Sequence, residues 1–174
     1  MGFITAILKF IIGLIVLLAV TVGITMFAAS FADGPWAIIS GGSFSTGEVV
    51  NEEPDWTFVK DRQEVEFELV ATGRSRTTWI MVADGRVFIP SGYMNSTVGK
   101  IWKQWPIDAE SDGRAILRVD GKLYHRNLVR IQEDPALPEV LSEVARKYLG
   151  QIDIPDPLAE VRSGNLWVFE MVRP

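Results

Sequence analysis

The chain has 174 residues, 17 Lys and Arg against 22 Asp and Glu, a net charge of −5, no cysteine and 48% hydrophobic residues. The lack of cysteine excludes disulfides, thiolate nucleophiles, iron–sulfur clusters and Cys-based zinc sites. Lys9 is the only basic residue before Lys60, and all acidic residues lie from Asp33 onward, so the body of the chain is acidic, which argues against nucleic acid and against a polybasic lipid-binding surface.

The hydrophobic excess is local. Phe10 to Ala32 is an uncharged run of 23 residues. As a helix it is about 34 Å long, enough for a hydrocarbon layer of about 30 Å. A helix also satisfies every backbone polar group internally, as lipid requires. A cleaved signal peptide is the competing reading, with Lys9 as its positive start and Ser30-Phe31-Ala32 as a small-x-small site. The run exceeds the usual roughly 7–15 apolar residues of a signal, so residues 1–32 are read as an uncleaved transmembrane anchor. Lys9 precedes the span, whereas Asp33, Glu48, Glu52, Glu53 and Asp55 follow it before Lys60. The positive-inside rule then puts the N-terminus in the cytoplasm and the domain outside the plasma membrane, on the periplasmic side of an inner membrane in a bacterium. Ala19 and Gly23 form a small-xxx-small pair suited to packing against another membrane helix.

Residues 33–62 read as a linker and irregular lead-in. Asp33-Gly34-Pro35-Trp36 breaks the helix. Trp36 stands either at the headgroup level or packed in the domain. Ser40-Gly41-Gly42-Ser43 reads as flexible or turn-forming. The domain proper spans 63–174. Val65, Phe67 and Leu69 alternate with Glu64, Glu66 and Glu68, the pattern of a half-buried strand with a wet acidic face. Thr77–Ala83 is continuously apolar and reads as a central strand. Asp84-Gly85 and Asp120-Gly121 each separate two strand-like runs, as type I′ hairpin turns do. Val98, Ile101, Trp102 and Trp105 have helical spacing, with Ser96 near the N-cap and Pro106 following. Asp108 to Asp112 reads as a solvated loop without the ligand spacing of a calcium loop. Asp134-Pro135 opens a second helix whose apolar stripe (Leu137, Val140, Leu141, Val144, Tyr148) runs to Gly150. Ile152–Pro157 reads as coil, and Leu166–Val172 as a closing strand that must pair inside the domain. The expectation is a mainly β, α+β domain: a small antiparallel, split-barrel-like sheet with two short helices, preceded by one transmembrane helix.

No catalytic constellation stands out. His125 is the single histidine, mid-strand, and no metal site is expected. There is no Gly-x-Ser-x-Gly elbow. Trp102 and Trp105, one turn apart beside Lys100 and Lys103, are either core residues or a stacking surface for a planar ligand or partner chain.

The order of elements over about residues 64–149 resembles the flavin-binding split β-barrel superfamily, which includes pyridoxamine-phosphate-oxidase-like and deazaflavin-dependent nitroreductase-like proteins. The resemblance rests on Arg74-Ser75-Arg76, the hairpin from Val82 to Ser91, Lys100-Ile101-Trp102-Lys103-Gln104-Trp105, the strand pair around Asp120-Gly121, and the helix ending Lys147-Tyr148. It implies a hairpin that presents FMN or a deazaflavin, with Arg76, Ser91 and Lys100 holding the cofactor phosphate. The pattern departs where Asp108-Ala109-Glu110-Ser111-Asp112 replaces the usual Asn-Pro. Two readings follow. The preferred one is a non-catalytic accessory or binding subunit of a membrane protein complex, carrying no cofactor. The alternative is a membrane-tethered flavin or deazaflavin oxidoreductase. Many members of that superfamily pair as homodimers, and the resemblance leaves this open here.

Overall fold

The computed structural model describes residues 2–97, 99, 103–150 and 156–174. It begins with a 28-residue helix, α1 (Gly2–Ala29), long and apolar enough to cross a membrane, with none of its apolar window buried. The helix starts earlier than the uncharged run, because nothing between Phe3 and Lys9 breaks it. It stops at Ala29 rather than Ala32. There Ser30 donates its hydroxyl to the Phe27 carbonyl at 2.6 Å, and Ala32 and Gly34 enter turns ahead of Pro35. Within the helix, Thr21 and Thr25 return their hydroxyls to carbonyls four residues back, both at 2.9 Å, which suits polar groups in an apolar span.

The rest of the chain forms one eight-stranded sheet. Its strands are β1 (Glu48–Val49), β2 (Glu64–Leu69), β3 (Arg74–Trp79), β4 (Met81–Ala83), β5 (Arg86–Ser91), β6 (Arg114–Val119), β7 (Lys122–Ile131) and β8 (Trp167–Val172). The order is β3-β2-β6-β7-β8-β5-β4, antiparallel throughout, with β1 added in parallel to β7. The two end strands, β3 and β4, are consecutive in the chain and separated only by Ile80. One bent stretch, 74–83, therefore pairs with β2 through its first half and with β5 through its second. That bend curls the sheet into a split barrel, with β3 and β4 as its two end strands. The expectation of a central strand over Thr77–Ala83 is thus corrected. Its apolar run arises because Ile80 and Val82 enter the barrel core while Met81 and Ala83 face the opposite side.

Both Asp-Gly turns have the expected type I′ backbone, with φ of 50° and 69° at Asp84 and Gly85 and 51° and 73° at Asp120 and Gly121. The closing strand β8 lies between β7 and β5, as its apolar sequence requires.

Among the described residues there are more helices than the two expected: α2 (Trp105–Ser111), α3 (Leu137–Tyr148) and α4 (Pro157–Arg162), besides a 3-10 turn at Trp56–Val59. Ser96 does cap a helical turn, accepting from the Gly99 N–H at 2.9 Å. Trp105, however, starts α2 rather than ending a helix. Pro106 is compatible with a first helical turn, so Asp108 to Ser111 is helical and not a loop. Asp134 accepts from the Ala136 N–H at 2.8 Å in a turn ahead of α3, which starts at Leu137 with Ala136 as its N-cap rather than at Pro135 as expected, and Gly150 follows it at φ 65°. Two cores result. One fills the barrel with Phe67, Leu69, Leu117, Ile89 and Phe169; the other packs Val140, Leu141 and Val144 of α3 on Phe88 and Val168.

Candidate functional site

Two places concentrate polar groups around this frame: the base of α1 and the inner rim of the barrel.

At the base of α1, residues 33–47 form a strap against β3, β2 and β6. Gly41 exchanges backbone hydrogen bonds with Ser75 of β3, at 2.9 and 3.2 Å, and the Ser75 hydroxyl donates to the Gly42 carbonyl at 2.5 Å. Gly42 N–H donates in turn to the Ala32 carbonyl at 3.1 Å. Both glycines are required by close approach: a Cβ on Gly41 would lie 1.9 Å from the Gly34 carbonyl oxygen, and one on Gly42 would lie 2.6 Å from that of Ser30. Ser40 to Ser43 is therefore a tight backbone contact and not a loose joint.

Beyond it, the Phe44 N–H donates to Glu68 at 2.7 Å, and Glu68 is buried. The expected wet face holds for Glu64 and Glu66 but not for Glu68, which the strap roofs over. Asp33 accepts from the Ser45 N–H at 2.7 Å, from the Thr46 hydroxyl and from Arg118 at 3.0 Å. Arg118 also donates to Glu66 at 2.7 Å and lies 4.0 Å over the Phe44 ring. Burial works to raise the Asp33 pKa. The Thr46 and Ser45 hydrogen bonds and the Arg118 charge outweigh it and hold the carboxyl at about 2. A cleft of about 440 Å³ adjoins this clamp, lined by Asp33, Arg62, Glu64, Glu66, Arg118 and Asp120. Arg62 pairs with Asp120, and Arg118 with Asp33 and Glu66, so the cleft is mostly a mosaic of satisfied ion pairs. It contains no nucleophile–base couple.

On the inner rim, Arg76 stands within β3, directly opposite Phe67 of β2. Its guanidinium lies 5.8 Å from the Phe67 ring and 5.9 Å from the Trp105 ring, and its Nε is buried without a hydrogen-bond partner. Burial lowers its pKa to about 10, against the opposing charge of Asp108 and with that of Arg74. Ser91 ends β5 on the same alternation as Val87 and Ile89, which places it on the barrel-core side. It is buried, and its hydroxyl donates to the Met94 sulfur at 3.4 Å. Arg76 and Ser91 thus share the inner side of the barrel, each with its own surroundings. Lys100 and Trp102 lie outside the described residues. Lys103 donates to the Gly92 carbonyl at 2.9 Å, and burial lowers its pKa. Trp105 is buried, its ring centroid 5.1 Å from that of Phe67 and 5.3 Å from that of Phe169. It is a core residue, because the start of α2 turns it inward, and it offers no stacking face to solvent. Ala19 and Gly23 are exposed on α1, with open space around Gly23. His125 is exposed on β7. Among the described residues no cluster of His, Asp and Glu is placed to hold a metal ion.

Lys147 and Tyr148 have a role that spacing alone does not disclose. The bend at Ile80 takes its backbone out of the ladder, and these two residues replace the lost partners. Lys147 donates to the carbonyls of Ile80 and Arg62, at 2.8 and 2.7 Å. The Tyr148 hydroxyl accepts from the Ile80 N–H at 3.2 Å and donates to the Gln63 carbonyl at 2.6 Å. Its ring stacks on Trp79 with centroids 4.0 Å apart and planes 2° from parallel. Burial raises the Tyr148 pKa, which favours the protonated hydroxyl that these bonds need, and it lowers that of Lys147. The sole sequence signal was a polar pair at the end of an otherwise apolar helical stripe.

No protein-family model and no curated protein sequence matches the chain. Among solved structures, the fold is similar to that of the conserved hypothetical protein Rv2991 from Mycobacterium tuberculosis, at 15% identity and TM-score 0.47, over 75% of this chain and 84% of that one. It is also similar to that of a candidate pyridoxamine 5′-phosphate oxidase from Listeria innocua, at 10% identity and TM-score 0.41, over 66% of this chain and 86% of that one. The likeness is one of fold. The molecule is a split-barrel domain carrying an N-terminal apolar helix.

Proposed function

We propose that this chain is a single-pass membrane subunit whose barrel serves as a non-catalytic accessory or binding module of a larger membrane complex, displayed outside the membrane with the N-terminus inside. The observation that carries this reading is the clamp at the base of α1. The Ala32–Gly42–Ser75 and Asp33–Arg118–Glu66 contacts leave no slack between helix and barrel. A soluble substrate can reach an active site on any tether. A fixed angle between anchor and domain matters when a defined face must meet neighbouring subunits, and it lowers the ordering cost of that encounter. The buried Ala29 and the bonded Ala32 carbonyl also favour an anchor that stays attached over a signal cleaved at this point. Native mass spectrometry after mild detergent extraction tests the proposal. A stoichiometric assembly with other membrane proteins, lost when Arg118→Ala loosens the clamp while the chain stays in the membrane, supports it. A lone monomer refutes it.

One observation favours the flavin reading instead: the buried, unpartnered Nε of Arg76 beside Trp105. A phosphate would supply the missing acceptor. Arg76 would hold that phosphate, and a bound flavin would bring the redox chemistry while the barrel positions it. The fit is partial, since the Ser91 hydroxyl is directed to Met94 and Lys103 to Gly92. Titration of the purified full-length protein with FMN decides the matter. A flavin spectrum that shifts on binding, and fails to shift in Arg76→Gln, would install this second reading; an unperturbed spectrum removes it.

A further inference from the structure

The loop beside the end of α1 has the wrong chemistry for a turn in water. Its base is closed by the backbone contact of Gly34 with Gly41 and by the Ala32 carbonyl, which accepts from Gly34 at 3.0 Å and from Gly42 at 3.1 Å. Between these points run Pro35, Trp36, Ala37, Ile38, Ile39 and Ser40, without a charge. Trp36 and Ile39 exchange two backbone hydrogen bonds, at 3.0 and 2.9 Å, which leaves Ala37 and Ile38 as a two-residue turn. Such turns ordinarily use Gly, Asn or Asp where φ is positive. Here Ala37 takes φ 50° with no polar side chain to help it. Ile38 is 89% exposed, Phe31 76% and Trp36 49%.

The position of the loop along α1 is a second, independent observation. The rise from Lys9 to Ala29 is about 30 Å, the thickness of the hydrocarbon layer. With the Lys9 ammonium at one membrane face, the end of α1 lies at the other. Phe31, Trp36 and Ile38 are then at the headgroup level, where aromatic and amphipathic groups collect. Phe31 packs edge-on against Phe27 of the helix at 5.1 Å, so the apolar surface of the helix extends beyond its last turn toward the loop.

We propose that Phe31, Trp36 and Ile38 form an apolar foot that enters the boundary between headgroups and acyl chains of the bilayer crossed by α1. This rests on the membrane-anchor reading above. The foot is tied to β3 through Gly41 and Ser75, so its insertion adds a second point of attachment and sets the tilt of the barrel on the membrane. The occupant is lipid, because Phe31 extends the lipid-facing surface of the helix, the patch carries no charge, and its one hydrogen-bonding group, the Trp36 indole N–H, is of the kind that collects at the headgroup level.

The cysteine-free chain allows a direct test. Single cysteines replace Ile38, Leu18 in mid-helix, or Asp84 in the exposed β4–β5 turn. Each full-length variant is labelled with an environment-sensitive fluorophore and reconstituted in phosphatidylcholine liposomes carrying nitroxides near the glycerol or near the acyl terminus. The expected result is a blue-shifted label at Ile38→Cys, quenched roughly twofold more by the shallow nitroxide than by the deep one, as interfacial insertion of about 5–10 Å requires. Leu18→Cys should show the reverse preference, and Asp84→Cys neither. A water-like label at Ile38→Cys with a deeply quenched Leu18→Cys overturns the foot and leaves the anchor intact. Unquenched labels at both sites overturn the foot and the anchor together. A blue-shifted label at Ile38→Cys that no lipid nitroxide quenches means protein covers the loop, which also overturns the proposal.

Discussion

Replacing Tyr148 by Phe removes one oxygen and should reveal how the barrel closes. The hydroxyl is the partner of the Ile80 N–H, at 3.2 Å, in a residue that is fully buried. An unsatisfied buried N–H costs about 1–3 kcal/mol. The Ile80 carbonyl keeps Lys147 at 2.8 Å, and the carbonyl of the exposed Gln63 can turn to water. The stack of the ring on Trp79, worth about 0.5–1.5 kcal/mol, is retained. The expected loss is therefore about 2 kcal/mol, or a fall in Tm of roughly 6 °C for a domain of this size. Lys147→Met should cost less, because the Tyr148 hydroxyl already lies 3.1 Å from the Ile80 carbonyl. The double variant should lose more than the two singles combined, since each residue covers for the other. Urea unfolding of the full chain in detergent micelles, followed by near-UV circular dichroism, measures all three. A Tyr148→Phe protein as stable as wild type would refute the claim that α3 satisfies the broken strand.

Other outcomes follow from the clamp and the turns. Arg118→Ala strips Asp33 and Glu66 of their cation and should cost about 1–3 kcal/mol in the same unfolding assay, whereas Arg118→Lys, which keeps charge but not the fork, should recover part of it. The Asp33 carboxyl is held at about 2 against an ordinary 3.8, so its contribution is fully present above the ordinary value and is lost as pH falls toward the lowered one. Cleavage by pepsin near Phe44, normalised to an unfolded substrate, should rise across that window, and Asp33→Asn should be cleaved readily throughout; a flat profile contradicts the assignment. Gly41→Ala drives a methyl into the Gly34 carbonyl and should cost more than about 3 kcal/mol, while Gly85→Ala, with open space but φ 69°, should cost about 1 kcal/mol by thermal unfolding.

Much of the architecture was legible because local rules carried it. The Asp-Gly pairs need positive φ at both positions and could hardly be anything but hairpin turns. Leu166 to Val172 is too apolar to lie at an edge, and the stripe from Leu137 to Tyr148 has one buried face. What escaped detection involved contacts distant in sequence. Thr77–Ala83 looks like a central strand because both its faces are apolar, and only the Lys147 and Tyr148 side chains, nearly seventy residues on, reveal that it bends at Ile80. Glu68 alternates like a solvent residue until Phe44 covers it. Gly41 and Gly42 look like a hinge, yet serve as a contact point. Pro106 reads as a stop but begins a helix. At the candidate site, Arg76 and Ser91 lie on the inner side of the barrel, and their individual surroundings, a pair of aromatic rings and a methionine sulfur, depend on side-chain packing that no motif encodes.

The central claim is that helix and barrel move as one body on the membrane. Spin labels on Phe27→Cys in α1 and Asp84→Cys in the barrel, with the full chain in lipid nanodiscs, allow their separation to be read by double electron–electron resonance. The account predicts a single narrow distance distribution that broadens in Arg118→Ala. A broad distribution in the otherwise unaltered chain would mean a free tether, and would contradict it.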